Sequence, residues 1–142
     1  MQVLTNIVIG EPDEIMAIGE SLSPLEDWQG MEANSLNLEK LAMLQSILAD
    51  QNFDEAFAEF RPLFTASDEG PWLIRFPHGS IKKLAELEED ALERIGEELA
   101  ATTEFEIDEW AVDEVQDLLA TLSQLAGNAV DQEKTLFIWM GM

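Results

Sequence analysis

Seven carboxylates fall within 14 residues: Glu104, Glu106, Asp108, Glu109, Asp113, Glu114 and Asp117, with no cation among them. Hard oxygen ligands of this kind suit calcium or magnesium, and the same charges suit a basic protein surface. A calcium loop needs the D-x-D-x-D-G-x5-E spacing with glycine at its sharp turn, and neither is present. Asp113 fits the N-cap of a following helix, and Glu114 and Asp117 fit its first turn, where negative charge is favoured. The run therefore reads as a solvated acidic face, and no metal ligand is assigned. Phe105 and Ile107 alternate with Glu104, Glu106 and Asp108, a pattern that fits a short edge strand or extended arm.

Trp28 and Trp110 lie in irregular segments beside acids, Glu26 and Asp27 in one case, Asp108 and Glu109 in the other. A buried indole needs an acceptor for its N–H, which loop carboxylates can supply. An exposed aromatic rimmed by acids would instead suit a cationic partner. The candidate partner-binding residues are thus Trp28, Glu104, Glu106, Asp108, Glu109, Trp110 and Asp113.

Other chemistry is thinly represented. Asp68, His78 and Ser80 flank one strand, yet the G-x-S-x-G elbow is missing and Ser80 has a sufficient role as an N-cap. An extended strand would hold Asp68 and His78 far apart. No catalytic residue is assigned. Ile9-Gly10-Glu11-Pro12 superficially resembles a nucleotide-binding βα turn. Its Glu11, Asp13 and Glu14 would repel phosphate, and no glycine-rich phosphate motif occurs. Five of the seven cations, Arg61, Arg75, Lys82, Lys83 and Arg94, fall in the middle third. Lys82 and Lys83 lie near a helix N-terminus, where the macrodipole disfavours them. Pairing with nearby carboxylates explains them better than an anion-recognition island.

Composition narrows the field further. Zero cysteine removes disulfides, thiolate nucleophiles and thiolate zinc sites, and a single histidine leaves no His-pair metal site. No cofactor is expected. With 30 acids against seven cations the net charge is −23, which disfavours nucleic acid and anionic membrane surfaces. Hydrophobic residues still make up 46% of the 142, too many for an acidic disordered tail. No apolar run is long enough to span a bilayer and no secretory pattern opens the chain, so a cytoplasmic location is expected.

The elements that would position these residues follow from patterning. Val3 to Ile9 is a β-branched strand stopped by Gly10-Glu11-Pro12. Pro12 starts a helix to about Leu22, and 24–36 reads as a long loop. Asn37 caps a helix to about Asp50, with Leu38, Leu41, Ala42, Gln45 and Leu48 on one stripe. Asn52 and Glu55 form a capping box, and Phe53, Ala56, Phe57 and Phe60 follow until Pro62. Residues 67–71 are a turn cluster, and Trp72 to Phe76 a strand. Ser80 caps one helix, and a second stripe runs Ala91, Leu92, Ile95, Leu99. Asp113 caps the longest helix, carrying Val115, Leu118, Leu119, Leu122, Leu125, Ala126 and Ala129. Thr135 to Met140 is a closing apolar strand.

Pairing the two terminal strands centrally would leave no hydrophobic edge exposed. The expectation is a single α+β domain over 1–142, with a small sheet of about three strands, terminal strands included, covered by helices.

The helix Leu36-Asn37-Leu38-Glu39-Lys40-Leu41-Ala42-Met43-Leu44-Gln45-Ser46-Ile47-Leu48 resembles the "LDLDKAWHxLHxLL" helix of the uncharacterised bacterial YfbM-like proteins. The family's Trp-His pair is absent here, and Ala42 and Met43 occupy that neighbourhood. The Phe76-Pro77 turn, the helix Ile81 to Leu87, the acidic stretch with Trp110, the long helix and Leu136 to Met140 continue the resemblance over the last three-quarters of the chain. It implies an α+β fold and a bacterial cytosolic setting. The family has no assigned activity, so no site residue is implied.

The expected function is a non-enzymatic module that binds a basic protein partner, of the immunity-inhibitor or nucleic-acid-mimic kind. The competing expectation is a hydrolase or transferase using carboxylates 104–117 with a divalent metal.

Overall fold

The computed structural model describes residues 4–33, 36–60, 62–65 and 71–141. Its strands are β1 (Leu4–Gly10), β2 (Gly30–Glu32), β3 (Pro62–Thr65), β4 (Trp72–Arg75) and β5 (Thr135–Gly141). β1 and β5 pair antiparallel over their whole length, from Leu4 opposite Gly141 to Gly10 opposite Thr135. β4 pairs with the other side of β5, β2 adds to β1 and β3 adds to β4. The result is one antiparallel sheet ordered β2-β1-β5-β4-β3.

Five strands replace the expected three or so. The central pairing of the terminal strands is as expected; the two additions are the edges. β2 is three residues inside the segment read as a loop, and β3 begins at Pro62, read only as a helix stop. An edge strand bonds on one side only, so it can be short and tolerate a proline. Gly30 lets β2 approach closely: a Cβ there would sit 2.3 Å from the Ile7 carbonyl oxygen.

Strand alternation divides the core between the two faces of the sheet. Ile7, Ile9, Ile74, Leu136, Ile138 and Met140 face a large cluster that includes Leu41, Leu84, Ile95, Phe105, Leu119 and Leu122. Those residues come from α3 (Leu38–Ala49), α5 (His78–Ala85), α6 (Glu89–Ala100), α7 (Thr103–Glu106) and α8 (Val112–Asp131). Val8, Leu73, Phe137 and Trp139 face the other way, onto Ile15, Ile18, Leu25 and Trp28. This smaller face is covered by α1 (Ile15–Glu20) and α2 (Pro24–Asp27), which follow a 3-10 turn at Pro12–Glu14. The short α4 (Phe53–Ala58) packs beside α3. No helix among the described residues is long and apolar enough to cross a membrane.

Helix starts differ in detail from expectation. The Asn37 and Asn52 carboxamide oxygens accept from the Lys40 and Glu55 N–H groups, as the caps require. Ser80 is no cap, because α5 begins at His78, with Pro77 at the cap position. Asp113 is no cap either: α8 starts behind Ala111, and the Glu114 carboxylate accepts from the Ala111 N–H. Residues 103–106 form a helical turn rather than an extended arm, because Phe105 is buried.

Three helices end on left-handed acids where glycine is the usual choice: Asp50 (φ 54°), Glu109 (φ 57°) and Glu133 (φ 58°). After Glu133, the Lys134 N–H reaches back to the Ala129 carbonyl at 2.9 Å, closing a Schellman turn. A carboxylate there suffers both the backbone conformation and the negative pole of the helix. Glu133→Gly is therefore expected to stabilise the fold by about 0.5–1 kcal/mol. A raised urea midpoint at unchanged slope is the measurement; a lowered midpoint would contradict this account.

Candidate functional site

The acid run is held by one buried cation. α3 places Lys40 against α7, where the side chain is 3% exposed and its ammonium pairs with the Asp108 carboxylate. The same ammonium lies 5.9 Å from the centroid of the Phe105 ring. Trp110 packs edge-to-face on the other aromatic partner, with Phe105 and Trp110 centroids 5.3 Å apart. The turn between them is a second Schellman closure: the Trp110 N–H bonds the Phe105 carbonyl at 3.1 Å, and the Glu109 N–H bonds Glu106 at 3.0 Å. The Trp110–Phe105 contact is the hydrophobic pair such a turn carries. Trp110 is thus half-buried and has a structural reason for its place.

The rest of the run faces solvent. Glu106, Asp108, Glu109 and Asp113 are exposed and Glu104 is partly covered. Within this rim Ile107 is 74% exposed and Val112 43%. Trp28 does not join them. It packs with Val8 and Phe137 on the opposite face of the sheet. Its indole N–H donates to Glu14 at 3.0 Å, rather than to the adjacent Glu26 or Asp27. That bond, then the Glu11 N–H and the nearby Lys134, hold the Glu14 carboxyl below its ordinary value.

A second, different site lies where α3, α4 and α5 meet the end of β4. A cleft of about 630 Å³ is floored by Gln45 and Ser80 and edged by Glu59, Arg75, His78 and Lys83. Gln45 and Ser80 are 4% and 1% exposed. The Ser80 hydroxyl donates to the Gln45 carboxamide oxygen, and Gln45 Nε2 donates to Gln51 at 3.1 Å and to Glu59 Oε2 at 2.6 Å. The helical spacing that put Gln45 on an apolar stripe was the sequence signal for this buried amide. Lys40 carried a similar signal: it lies one helical turn before the buried Leu44.

Lys82 and Lys83 occupy the last turn of α5, not its start, so the conflict with the helix dipole disappears. Lys83 donates to the Leu48 carbonyl at the end of α3 (2.9 Å). Among the described residues, Arg75, Lys82, Lys83 and Arg94 do not pair with carboxylates either. Among the described residues the ion pair is Lys40–Asp108; Arg61 lies outside them, as do Asp68 and Glu69. Three carboxylates whose oxygens lie within 4.8 Å of one another do occur, at Glu11, Asp13 and Glu14 rather than in the 104–117 run.

Two outcomes follow. Asp108→Ala leaves the Lys40 ammonium buried without its partner and is expected to cost about 1–3 kcal/mol, whereas Lys40→Met should change stability by less than about 1 kcal/mol. Equal losses in urea melts would contradict the account of a buried ammonium held by an exposed carboxylate. For Glu14, a depressed carboxyl contributes stability above its ordinary value of 4.5 and loses it as pH falls through the lower folded value. The stability gap between wild type and Glu14→Gln should therefore be full at pH 7 and close below pH 4.5, measured by denaturation across pH.

No family model, curated protein or solved structure matches this chain.

Proposed function

We propose that this chain is a non-enzymatic interaction module that holds a basic protein against the segment 104–113. The observation that carries the reading is Ile107, a large apolar side chain 74% exposed, with Glu106 and Asp108 on either side in the chain. Buried apolar anchors inside a polar rim are where binding energy concentrates at interfaces. Val112 and the exposed edge of Trp110 extend the anchor, and Glu104, Glu109 and Asp113 extend the rim. A net charge of −23 would speed the encounter with a cationic partner and repel nucleic acid and anionic lipid.

An immunity-type inhibitor of a cationic toxin and a mimic of nucleic acid are the roles that use such a surface. Bacterial origin and residence in the cytoplasm belong to the same proposal. So does kinship with the YfbM-like proteins, which rests on the sequence resemblance of 36–48 and the motifs that follow it. Trp28 falls outside this surface because the sheet stands between them.

The test is capture of partners from lysate at low and high salt, with wild type, Ile107→Ser and the double variant Glu106→Lys/Glu109→Lys. Retention of a basic protein is expected to fall at least tenfold in high salt and in both variants. Retention indifferent to salt and to both variants, or no partner at all, would overturn the reading.

A further inference from the structure

Among the described residues, the cleft between α3, α4 and α5 reverses the charge balance of the molecule. Across the chain acids outnumber Lys and Arg by 30 to seven. Along this cleft, among the described residues, Arg75, Lys83 and His78 face one carboxylate, Glu59. Arg75 and His78 also border a neighbouring cleft of about 300 Å³, to which Lys134 and Glu133 contribute. These two residues therefore form a ridge between two hollows.

Arg75 has no carboxylate in ion-pair contact among the described residues. A guanidinium left unpaired in so acidic a protein is available for an anionic group, which it can grip in bidentate fashion. The first turn of α5 adds to it. The Ser80 and Ile81 N–H groups both bond the Pro77 carbonyl, at 3.1 and 3.2 Å, which leaves the His78 and Gly79 amides outside the helical ladder. Gly79 borders open space: a Cβ there would meet nothing within 4 Å.

The same cleft also offers an acceptor. Glu59 is held through Oε2 by the buried Gln45, leaving Oε1 to accept. Gln45 is fixed in turn by Ser80, so the acceptor stands on a buried, hydrogen-bonded base. The field of the molecule then selects among ligands. A net charge of −23 raises the cost of bringing in any net anion, whereas a zwitterion feels only the local charges. The volume, about 630 Å³, lies within the range of small-ligand sites.

We propose that this cleft binds a small zwitterion of the amino-acid class, its carboxylate at Arg75 and the first turn of α5 and its ammonium at Glu59. The proposal is independent of the acid-rimmed surface, which lies on other elements.

Isothermal titration calorimetry of the full chain against the twenty amino acids tests it, with propionate and inorganic phosphate as comparators. At least one amino acid is expected to bind in the millimolar range or tighter, and at least tenfold more tightly than either comparator. Arg75→Gln and Glu59→Gln should each weaken that binding at least tenfold, and Arg94→Gln, which does not line this cleft, should leave it unchanged. All three positions are exposed, so folding should survive; circular dichroism checks this. Absence of binding by any amino acid, comparators bound as tightly, or Arg75 and Glu59 variants that bind like wild type would each overturn the proposal.

Discussion

The pairing of β1 with β5 is the constraint from which the rest is hung. Seven residues from one end of the chain lie in register against seven from the other. Ile7, Val8, Leu136, Phe137 and Ile138 are fully buried, because both faces of this pair are covered. The five strands are not joined into one sheet until β1 meets β5, a contact between residues far apart in sequence and hence a slow one to form. β4 is then placed by β5, and the Phe76 N–H extends the ladder to the Leu136 carbonyl at 3.0 Å. That bond fixes where the chain leaves the sheet, and therefore where Arg75 projects and where α5 begins. The cleft is positioned from the centre of the sheet outward.

The same burial explains what could be read without coordinates. Central strands covered on both faces carry near-continuous apolar runs, and Val3 to Ile9 and Leu136 to Met140 have them. Long helices show their stripe, so α3, α6 and α8 were legible to within a few residues. β2 and β3 were not, because three or four edge residues are too few for a period and each is held by one neighbour only. Helix starts at His78 and Val112 slipped because Ser80 and Asp113 are good caps in isolation. Ser80 is instead drawn inward by Gln45, and Asp113 is displaced by a turn whose geometry is set by Phe105 and Trp110.

The candidate sites were legible in residue type more than in arrangement. The acid run, Trp110 and His78 could all be named from spacing. What spacing could not give is that Lys40, 68 positions from Asp108, supplies the run with a counterion. Nor could it show that Trp28 and Trp110, alike in sequence context, lie on opposite faces of the sheet. Such facts belong to topology, because they depend on which helix crosses which end of which strand.

The distribution of charge is the last link between fold and function. A chain with 30 acids could have reduced its self-repulsion by threading its few cations between them. It does so once among the described residues, at the one place where the ammonium is buried and cannot remain unpaired. Arg75 and His78 sit instead on the ridge between two hollows, and three helices end on acids that the helix dipole disfavours. Among the described residues, self-repulsion between the acids is therefore left largely in place at the surface. A cationic macromolecule and a small zwitterion would meet different parts of the resulting field, the first its full extent and the second only the local reversal at Arg75.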